Sequence, residues 1–183
     1  MQHSFVSLPE PPAAGPSLSE PAEGADPVLF KAGMRRLASG ICVVTAQDSQ
    51  GPTGLLSTSV SSVSVDPPLL LVCINRSASA HATVTSSDGF CINILADRDE
   101  ELARRFGSSA ARDARFRDRD WQTMRTGSPA LVGCLASFDC RCIGRVDVAS
   151  HTVFFGQVVE TRLWTDHDDP LLYWQGQYRV GCA

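Results

Sequence analysis

The 183 residues are enough for one domain with a real core, and the formal net charge of −4 differs from the basic surface typical of nucleic-acid-binding domains. No apolar run reaches the roughly 18 residues that a membrane helix needs, and the N-terminus lacks the basic start and apolar segment of a secretory signal. We therefore expect a cytoplasmic protein that binds neither nucleic acid nor membrane.

The N-terminal residues differ in composition from the rest of the chain. Residues 1–26 are rich in Pro, Ala, Ser and Glu, which predicts a flexible arm ahead of a domain over residues 27–183. Asp26-Pro27 is typical of a helix start, and the helix is expected to end at Gly40. Apolar residues recur at helical spacing, so we expect one helix face to pack on the core. These residues are Phe30, Met34, Leu37 and Ala38.

Three strands are predicted next. Residues 41–46 form an apolar run, and a turn over residues 48–52 leads to a strand over residues 55–65 that carries six serines or threonines. After Pro67-Pro68, the continuous apolar run over residues 69–74 predicts a strand buried on both faces. An unpaired buried hydroxyl costs about 1–3 kcal/mol, so the hydroxyls must bond backbone, water or a polar ligand. We favour the ligand.

The middle of the chain alternates helices and strands. A short helix to about residue 86 precedes a strand over residues 90–95. Asp97 and Glu100 have the spacing of a capping box, which opens a helix with an inward apolar face. That face comprises Leu102, Ala103 and Phe106. The charged residues 108–120 predict a mobile surface loop.

The C-terminal half consists mainly of strands. A short strand is expected over residues 121–126, two long strands over residues 130–148 and 151–164, and a last hairpin about Gln175-Gly176. In all, seven to nine strands and three helices are predicted, mostly in hairpin order. This pattern indicates a mainly β fold, an antiparallel Greek-key-like barrel with about three peripheral helices.

The cysteines do not suggest a metal site. There are seven, and most lie inside apolar strand patterns. The chain has no CxxC pair, and Cys140-x-Cys142 has no histidine at ligand spacing. We interpret the thiols as structural groups in a reducing cytoplasm and expect no metal.

A phosphate site is predicted where the apolar strand ends. The chain lacks both GxGxxG after a strand and GxxxxGK[ST]. Instead, residues 75–79 (NRSAS) lead directly into a helix at His81, whose free N–H groups and dipole attract an anion, with Arg76 as a further donor. The alternative is that Ser77 or Ser79 is an ordinary N-cap, and the spacing favours neither. The adjacent hydroxyl-rich strand favours a pocket for a phosphorylated, polyhydroxylated ligand.

One segment resembles a known family. The run GLLSTSVSSVSVDPPLLLVCINRSASAH, residues 54–81, is similar to the flavin-binding segment of the short-chain flavin reductases, which have the FMN-binding split-barrel fold. The runs FCINIL, ELARRF, GSPAL and SHTVFFG follow in the family's order, so the resemblance covers about residues 28–180. It implies a homodimeric NAD(P)H:flavin oxidoreductase that uses FMN or FAD with NADH or NADPH. Diffusible reduced flavin would then serve a separate flavin-dependent monooxygenase.

The resemblance also implies site residues. The loop on the isoalloxazine ring corresponds to Gly54, Leu56, Ser57, Thr58 and Ser59. The ribityl chain and phosphate are implied to lie near Ser62, Val63, Ser64, Asn75, Ser77, Ser79 and His81. Arg104, Arg105 and Phe106 match the family's RRF run, near the phosphate or an adenine.

His151 is the predicted catalytic residue. It matches a family histidine on the nicotinamide-facing side of the flavin, where it would orient the nicotinamide or steady charge on the reduced ring. Without the family, a histidine that starts a surface hairpin strand is the favoured interpretation. Leu56 replaces the usual threonine and Ser150 the usual glycine or aspartate, which affects ring contacts and cofactor preference more than the fold.

Hydride transfer from the nicotinamide to the flavin requires no acid–base pair, which agrees with a sequence lacking an obvious dyad. Two alternatives remain open at this point: a flavin-dependent oxidase of the pyridoxamine-phosphate-oxidase type, and a non-catalytic flavin-binding protein.

Overall fold

The computed structural model describes residues 24–180, and in this range it contains three helices and twelve strands. The helices are α1 (Pro27–Met34), α2 (His81–Ser86) and α3 (Glu100–Gly107). The strands are β1 (Ser39–Gly40), β2 (Cys42–Asp48), β3 (Gly51–Ser57), β4 (Val60–Val65), β5 (Pro68–Asn75), β6 (Gly89–Ile94), β7 (Trp121–Thr123), β8 (Pro129–Leu131), β9 (Ala136–Val148), β10 (His151–Leu163), β11 (Leu171–Trp174) and β12 (Gln177–Val180). The number of helices is confirmed, and the strand number of seven to nine is too low. None of the helices in the described range is long and apolar enough to cross a membrane.

The seven-stranded antiparallel sheet has the order β3-β2-β6-β9-β10-β5-β4. Its two edge strands, β3 and β4, are consecutive in the chain and are joined by the crossover Thr58-Ser59. At the crossover, Cys73 N donates to Ser59 O over 3.1 Å, which ties β5 to the end of β3. The sheet is therefore curled but not closed, and the predicted split-barrel fold is confirmed. Two smaller sheets, β1-β11-β12 and β7-β8, complete the fold.

The predicted single strand over residues 55–65 is wrong, because the chain changes partners within it. Ser57 is still paired with Cys42 of β2, whereas Val60 is paired with Val72 of β5. The strand predicted over residues 130–148 is also divided, into β8 and β9. Alternating polarity does not reveal such a change of partner, since both segments keep the same period of two.

The curled sheet encloses the main core. One face of β5 (Leu70, Val72 and Ile74) is buried there with Phe90 and Phe154. The other face, which carries Leu69, Leu71 and Cys73, is only partly buried. The prediction that this strand is buried on both faces is therefore wrong for the single chain.

A second core lies between β2 and α3. The predicted inward face of α3 is confirmed, since Leu102, Ala103 and Phe106 are buried. The capping contact lies one residue earlier than predicted: Ala96 N donates to Asp99 Oδ2 over 3.0 Å. A short 3₁₀ turn from Asp97 to Asp99 then leads into α3.

Helix α1 begins as predicted, with Asp26 Oδ1 accepting from Val28 N over 2.8 Å. It ends at Met34 rather than at Gly40, and none of its residues is buried. Phe30 is 65% exposed and Met34 is 49% exposed. The predicted packing of this helix on the core is therefore wrong within one chain. The predicted flexible arm lies outside the described residues, apart from its last three positions.

The six cysteines within residues 24–180 are free thiols, and four of them are buried: Cys42, Cys91, Cys134 and Cys140. Burial raises the pKa of Cys42 to about 12 and that of Cys134 to about 11. These two thiols are therefore neutral at physiological pH, as expected for structural cysteines. Cys182 lies outside the described range. No group of three or more His, Cys, Asp or Glu side chains is placed to hold a metal ion in residues 24–180.

Candidate active site

A cavity of about 450 Å³ lies on the outer face of β5, where the crossover, the loop after β5 and α3 meet. It is lined by Leu55, Leu56, Ser57, Thr58, Ser59, Cys73, Asn75, Ser77, Ala78, Ser79, Phe106, Gly107, Ser109, Arg115 and His151. Its volume is within the range for small-molecule sites. The structure thus brings together eight predicted site residues, namely Leu56, Ser57, Thr58, Ser59, Asn75, Ser77, Ser79 and Phe106, together with His151.

The strand side of the cavity is formed by the end of β3 and the crossover that follows it. Ser57 Oγ accepts from Ser59 N over 3.1 Å, while Thr58 and Ser59 are exposed to the cavity mouth. Leu55 and Leu56 supply partly buried apolar surface beside these hydroxyls. Three of the six hydroxyl residues, Ser57, Thr58 and Ser59, therefore form a polar rim on this cavity.

Gly54 is buried and does not line the cavity, but it sets how closely α3 approaches β3. A Cβ at this position would lie 2.7 Å from Phe106 Cε1 and 2.8 Å from Val44 O. Real Cβ atoms essentially never come this close to another heavy atom. Glycine therefore allows Phe106 to reach the cavity wall.

The loop after β5 is held by its own side chains. Asn75 Oδ1 accepts from Ser77 N over 2.9 Å and from Ser77 Oγ over 2.8 Å. Helix α2 starts after Ala80, and no side chain caps it, so the alternative that Ser77 or Ser79 is an N-cap is wrong. Arg76 does not line the cavity. The loop residues themselves supply the polar groups at this end.

Arg115 lines the cavity, although the sequence pattern does not predict it as a site residue. It lies in the charged segment 108–120, yet it is only 5% exposed. Its Nη1 donates to Gly54 O over 2.8 Å and to Ser79 Oγ over 3.3 Å, and its Nη2 donates to Ser108 O over 3.0 Å. This segment is a surface loop, as predicted, but Arg115 anchors it across the cavity. Two further contacts hold the loop. The ring of Phe116 packs against Phe106, and Arg119 forms an ion pair with Asp99.

The charge of Arg115 lacks a carboxylate partner. Among the ion pairs of residues 24–180 it has none, and its buried Nε has no hydrogen-bond partner. Burial lowers its pKa, and the nearby charge of Arg112 adds to this effect. A buried cation is stabilised by an anion, so this side of the cavity is suited to a negatively charged ligand.

The two predicted histidines occupy different positions. His151 lies in the cavity wall, paired in register with Asn75, and its Nδ1 is 2.9 Å from Ser150 Oγ. His81 does not line the cavity. Its Nε2 is 2.8 Å from Thr152 Oγ1, and its ring packs edge-on against Phe154. His81 therefore anchors α2 to β10.

Four further predicted residues lie elsewhere. Ser62 and Ser64 line a separate, largely apolar cavity, and Val63 between them is 48% exposed. Arg105 turns away from the site and donates to Ala114 O over 3.2 Å and to Arg117 O over 2.9 Å. Within one chain, the structure does not bring these residues to the cavity.

The cavity lining fits the parts of a flavin nucleotide. Leu55, Leu56 and Phe106 provide apolar surface for a fused aromatic ring, and the serine and threonine hydroxyls are suitable partners for a ribityl chain. The guanidinium of Arg115 lies beside Ser79 and forms no ion pair within residues 24–180, so it is suited to a phosphate.

Comparisons with known proteins agree with this geometry. The family model described as "Flavin reductase like domain" matches residues 34–181. The chain is 37% identical over 155 residues to the FMN reductase (NADH) RutF of Bradyrhizobium diazoefficiens, covering 85% of this chain and 86% of that protein. It is 40% identical over 164 residues to FMN reductase (NADH) RutF 1 of Methylorubrum extorquens, and the match covers 90% of this chain and 81% of that protein.

Solved structures give the same result. The Streptomyces globisporus NADH:FAD oxidoreductase SgcE6, in complex with NAD and FAD fragments, superposes with a TM-score of 0.79 at 28% identity, covering 88% of this chain and 98% of that one. BorF, the flavin reductase component of a bacterial two-component tryptophan halogenase, superposes with a TM-score of 0.77 at 29% identity, covering 85% and 98%.

Proposed function

We propose a function from one premise: this chain belongs to the flavin reductase like family, whose model matches residues 34–181. It is an NAD(P)H-dependent flavin reductase, an oxidoreductase that transfers a hydride from a reduced nicotinamide to a flavin. The similar proteins named as NADH-dependent FMN reductases support NADH as the donor and FMN as the acceptor. We place the reaction in the cavity between β5 and Arg115.

The observation that carries this placement is the buried, unpaired guanidinium of Arg115 at one end of a hydroxyl-rimmed cavity. A flavin phosphate beside Arg115 and Ser79 would supply the missing anion. The ribityl chain would then run along the rim formed by Ser57, Thr58 and Ser59, and the ring would lie against Leu56 and Phe106. This orientation satisfies the charged, polar and apolar parts of the lining at once.

The bound flavin supplies the hydride-accepting chemistry. The chain's own residues hold it and keep water away from one side of the ring, which is the contribution of Leu55, Leu56 and Phe106. His151, on the strand paired with Asn75, borders the same space. We assign it the task of orienting the nicotinamide against the ring, a positioning role that requires no proton transfer.

We also propose a homodimer in which the cavity borders the subunit interface. Beside the cavity, the outer face of β5 and β10 carries a partly buried apolar stripe in which Leu71 is paired with Phe155. Cys73, the next outward residue of β5, belongs to the cavity lining. Exposed apolar surface is typical of interaction sites, and α1 exposes further apolar residues.

Sedimentation velocity at micromolar concentration tests the dimer. Phe155→Asp should shift the protein toward monomer, because it places a charge in the stripe. Leu163→Asp, on the same strand but 73% exposed and outside the stripe, should not. A wild-type chain that sediments as a monomer would contradict the proposal.

We further propose that the reduced flavin diffuses to a flavin-dependent monooxygenase, that the protein is cytoplasmic, and that the reductase domain spans residues 27–183. The titles of the solved reductase components support a two-component system. Free thiols at all six described cysteines are in keeping with a reducing compartment.

A steady-state assay tests the function. The loss of reduced-nicotinamide absorbance is followed with NADH or NADPH, each combined with FMN, FAD or riboflavin. We expect saturable, flavin-dependent oxidation of NADH with FMN. Tight flavin binding without turnover would instead identify a flavin-binding protein, and turnover only with an amine substrate would identify an oxidase.

A further inference from the structure

A cavity of about 630 Å³ lies at the end of α2 and shares no lining residue with the flavin cavity. One wall is formed by residues 85–88, which comprise the end of α2 and the turn after it. The other walls are the turn between β7 and β8, at Arg125 and Thr126, and the middle of β9, at Arg141 and Arg145. The volume of this cavity is within the range for small-molecule sites.

The lining of this cavity, which we call the arginine cavity, is strongly cationic. Arg125, Arg141 and Arg145 all line it, and all three residues are exposed. None of them takes part in an ion pair within residues 24–180. Asp88 is the carboxylate among the described lining residues, so three cations and one anion leave an excess of two positive charges. This excess is local, since the whole chain has a formal net charge of −4.

The hydroxyl groups of the lining donate mainly to the protein itself. Ser86 Oγ and Ser87 Oγ both donate to Thr83 O, over 3.2 Å and 2.7 Å. Thr126 Oγ1 donates to Asp139 Oδ1 over 2.6 Å. Because these protons are used within the chain, the guanidinium groups supply most of the donors that face a ligand in this cavity.

The backbone positions of the three arginines are fixed. Arg141 belongs to β9, which is paired with β6 on one side and with β10 on the other. Arg145 Nη1 donates to Thr85 O over 2.6 Å, which ties β9 to the last turn of α2. Arg125 N donates to Glu160 Oε2 over 3.2 Å. A guanidinium has five N–H donors, so Arg145 keeps further donors for a ligand after its contact with α2.

We propose that the arginine cavity binds a small oxyanion with at least two negative charges, either a polycarboxylate or a polyphosphate. Guanidinium groups match the geometry of carboxylate and phosphate oxygens and form paired, charge-assisted hydrogen bonds with them. Two negative charges would balance the excess positive charge of the lining. The concave shape favours a small ligand over a flat protein surface. The proposal goes beyond the proposed function and does not depend on it, because the two cavities have no lining residue in common.

Isothermal titration calorimetry on the full chain, saturated with FMN, tests the proposal. Bound FMN keeps the titrated anion away from the flavin cavity. Pyrophosphate and citrate are titrated separately at low ionic strength, which distinguishes a polyphosphate site from a polycarboxylate site. We expect saturable binding of one anion per chain by at least one of the two. High salt should weaken this binding, because it screens the exposed charges.

Two substitutions locate the bound anion. Arg125→Gln and Arg141→Gln should each raise its Kd by about tenfold, the usual size of one charge-assisted contact. Both side chains are exposed and free of ion pairs within residues 24–180, so their replacement should leave the fold intact. The matched control is Arg179→Gln, an exposed arginine of β12 that lies outside the arginine cavity and should bind as the wild type does.

Several outcomes would overturn the proposal. One is that neither anion binds, and another is that the two cavity variants bind the anion as well as Arg179→Gln does. Release of FMN by the anion, seen as a change in flavin fluorescence, would place the anion in the flavin cavity instead. Binding of a polyglutamate peptide without binding of either small anion would show a docking surface for an acidic protein. An absence of NADH oxidation would contradict only the proposed function.

Discussion

The two walls of the flavin cavity are built in different ways. The strand wall consists of the end of β3, the crossover and the loop after β5, and its hydroxyl groups are neighbours in the sequence. The loop wall consists of Arg115 and Phe106, which reach the cavity from a charged segment and from a helix. The strand wall is held by a backbone ladder, whereas the loop wall depends on three hydrogen bonds from one guanidinium.

The two walls therefore have different functions in ligand binding. The strand ladder holds the hydroxyl groups in place along the ligand. The conformational entropy lost in ordering these residues is already lost when the sheet forms. The loop wall brings a cation that needs an anion, so its stability and its ligand binding are coupled. Changes in the two walls should therefore have different consequences.

The largest effect is expected where the two walls meet, at Gly54. Gly54→Ala introduces a Cβ that conflicts with Phe106 and with the backbone of Val44, so we expect a loss of about 1–3 kcal/mol in the free energy of unfolding. Urea denaturation measures it. Gly144→Ala on β9 is the control, because no atom lies within 4 Å of a Cβ there. Equal midpoints for the two variants would show that the close approach at Gly54 is unimportant.

Arg115→Met tests the loop wall alone. It keeps apolar bulk but leaves Gly54 O and Ser108 O without their donors and removes the charge, so FMN binding should weaken at least about tenfold. The measurement is the Kd for FMN from fluorescence titration. Arg117→Met, an exposed residue two positions along, should bind FMN as the wild type does. Raised salt should weaken wild-type binding more than that of Arg115→Met, and an equal salt dependence would contradict a phosphate contact.

Ser79→Ala is expected to have a smaller effect. Its hydroxyl accepts a long hydrogen bond from Arg115, so its loss should weaken FMN binding about three- to tenfold, with little change in stability. Ser61→Ala is the control, since Ser61 is an exposed hydroxyl on β4 outside the cavity. If both variants bind FMN equally, Ser79 does not take part in the site.

The sequence predicted the strand wall better than the loop wall. Ser57 to Ser59, Asn75 and Ser77 are local in the chain, and their proximity follows from one crossover and one turn. Arg115 could not be found in this way, because its contacts with Gly54 and Ser79 span 61 and 36 positions and its segment has the composition of an exposed loop. A signal existed in the single phenylalanine beside it, Phe116, within an otherwise charged run.

The misplacements have similar causes. Ser62 and Ser64 follow the crossover, and the change of strand partner carries them to another cavity. The apolar stripe of α1 predicted a buried face, but within one chain nothing covers it among residues 24–180. The spacing of apolar residues shows that one face of a helix is apolar, but it does not show which surface covers that face.

Flavin protection of Cys73 tests the central claim, that flavin binds in this cavity, most directly. Cys73 lines the cavity, whereas Cys142 is a partly buried thiol that does not. The folded protein is alkylated at pH 8 with and without FMN, and the modified cysteines are identified by mass spectrometry. Cys42 and Cys134, with pKa values raised by burial to about 12 and about 11, should stay unmodified in both samples. We predict that FMN slows alkylation of Cys73 and leaves that of Cys142 unchanged; equal alkylation of Cys73 with and without saturating FMN would contradict the placement of the flavin.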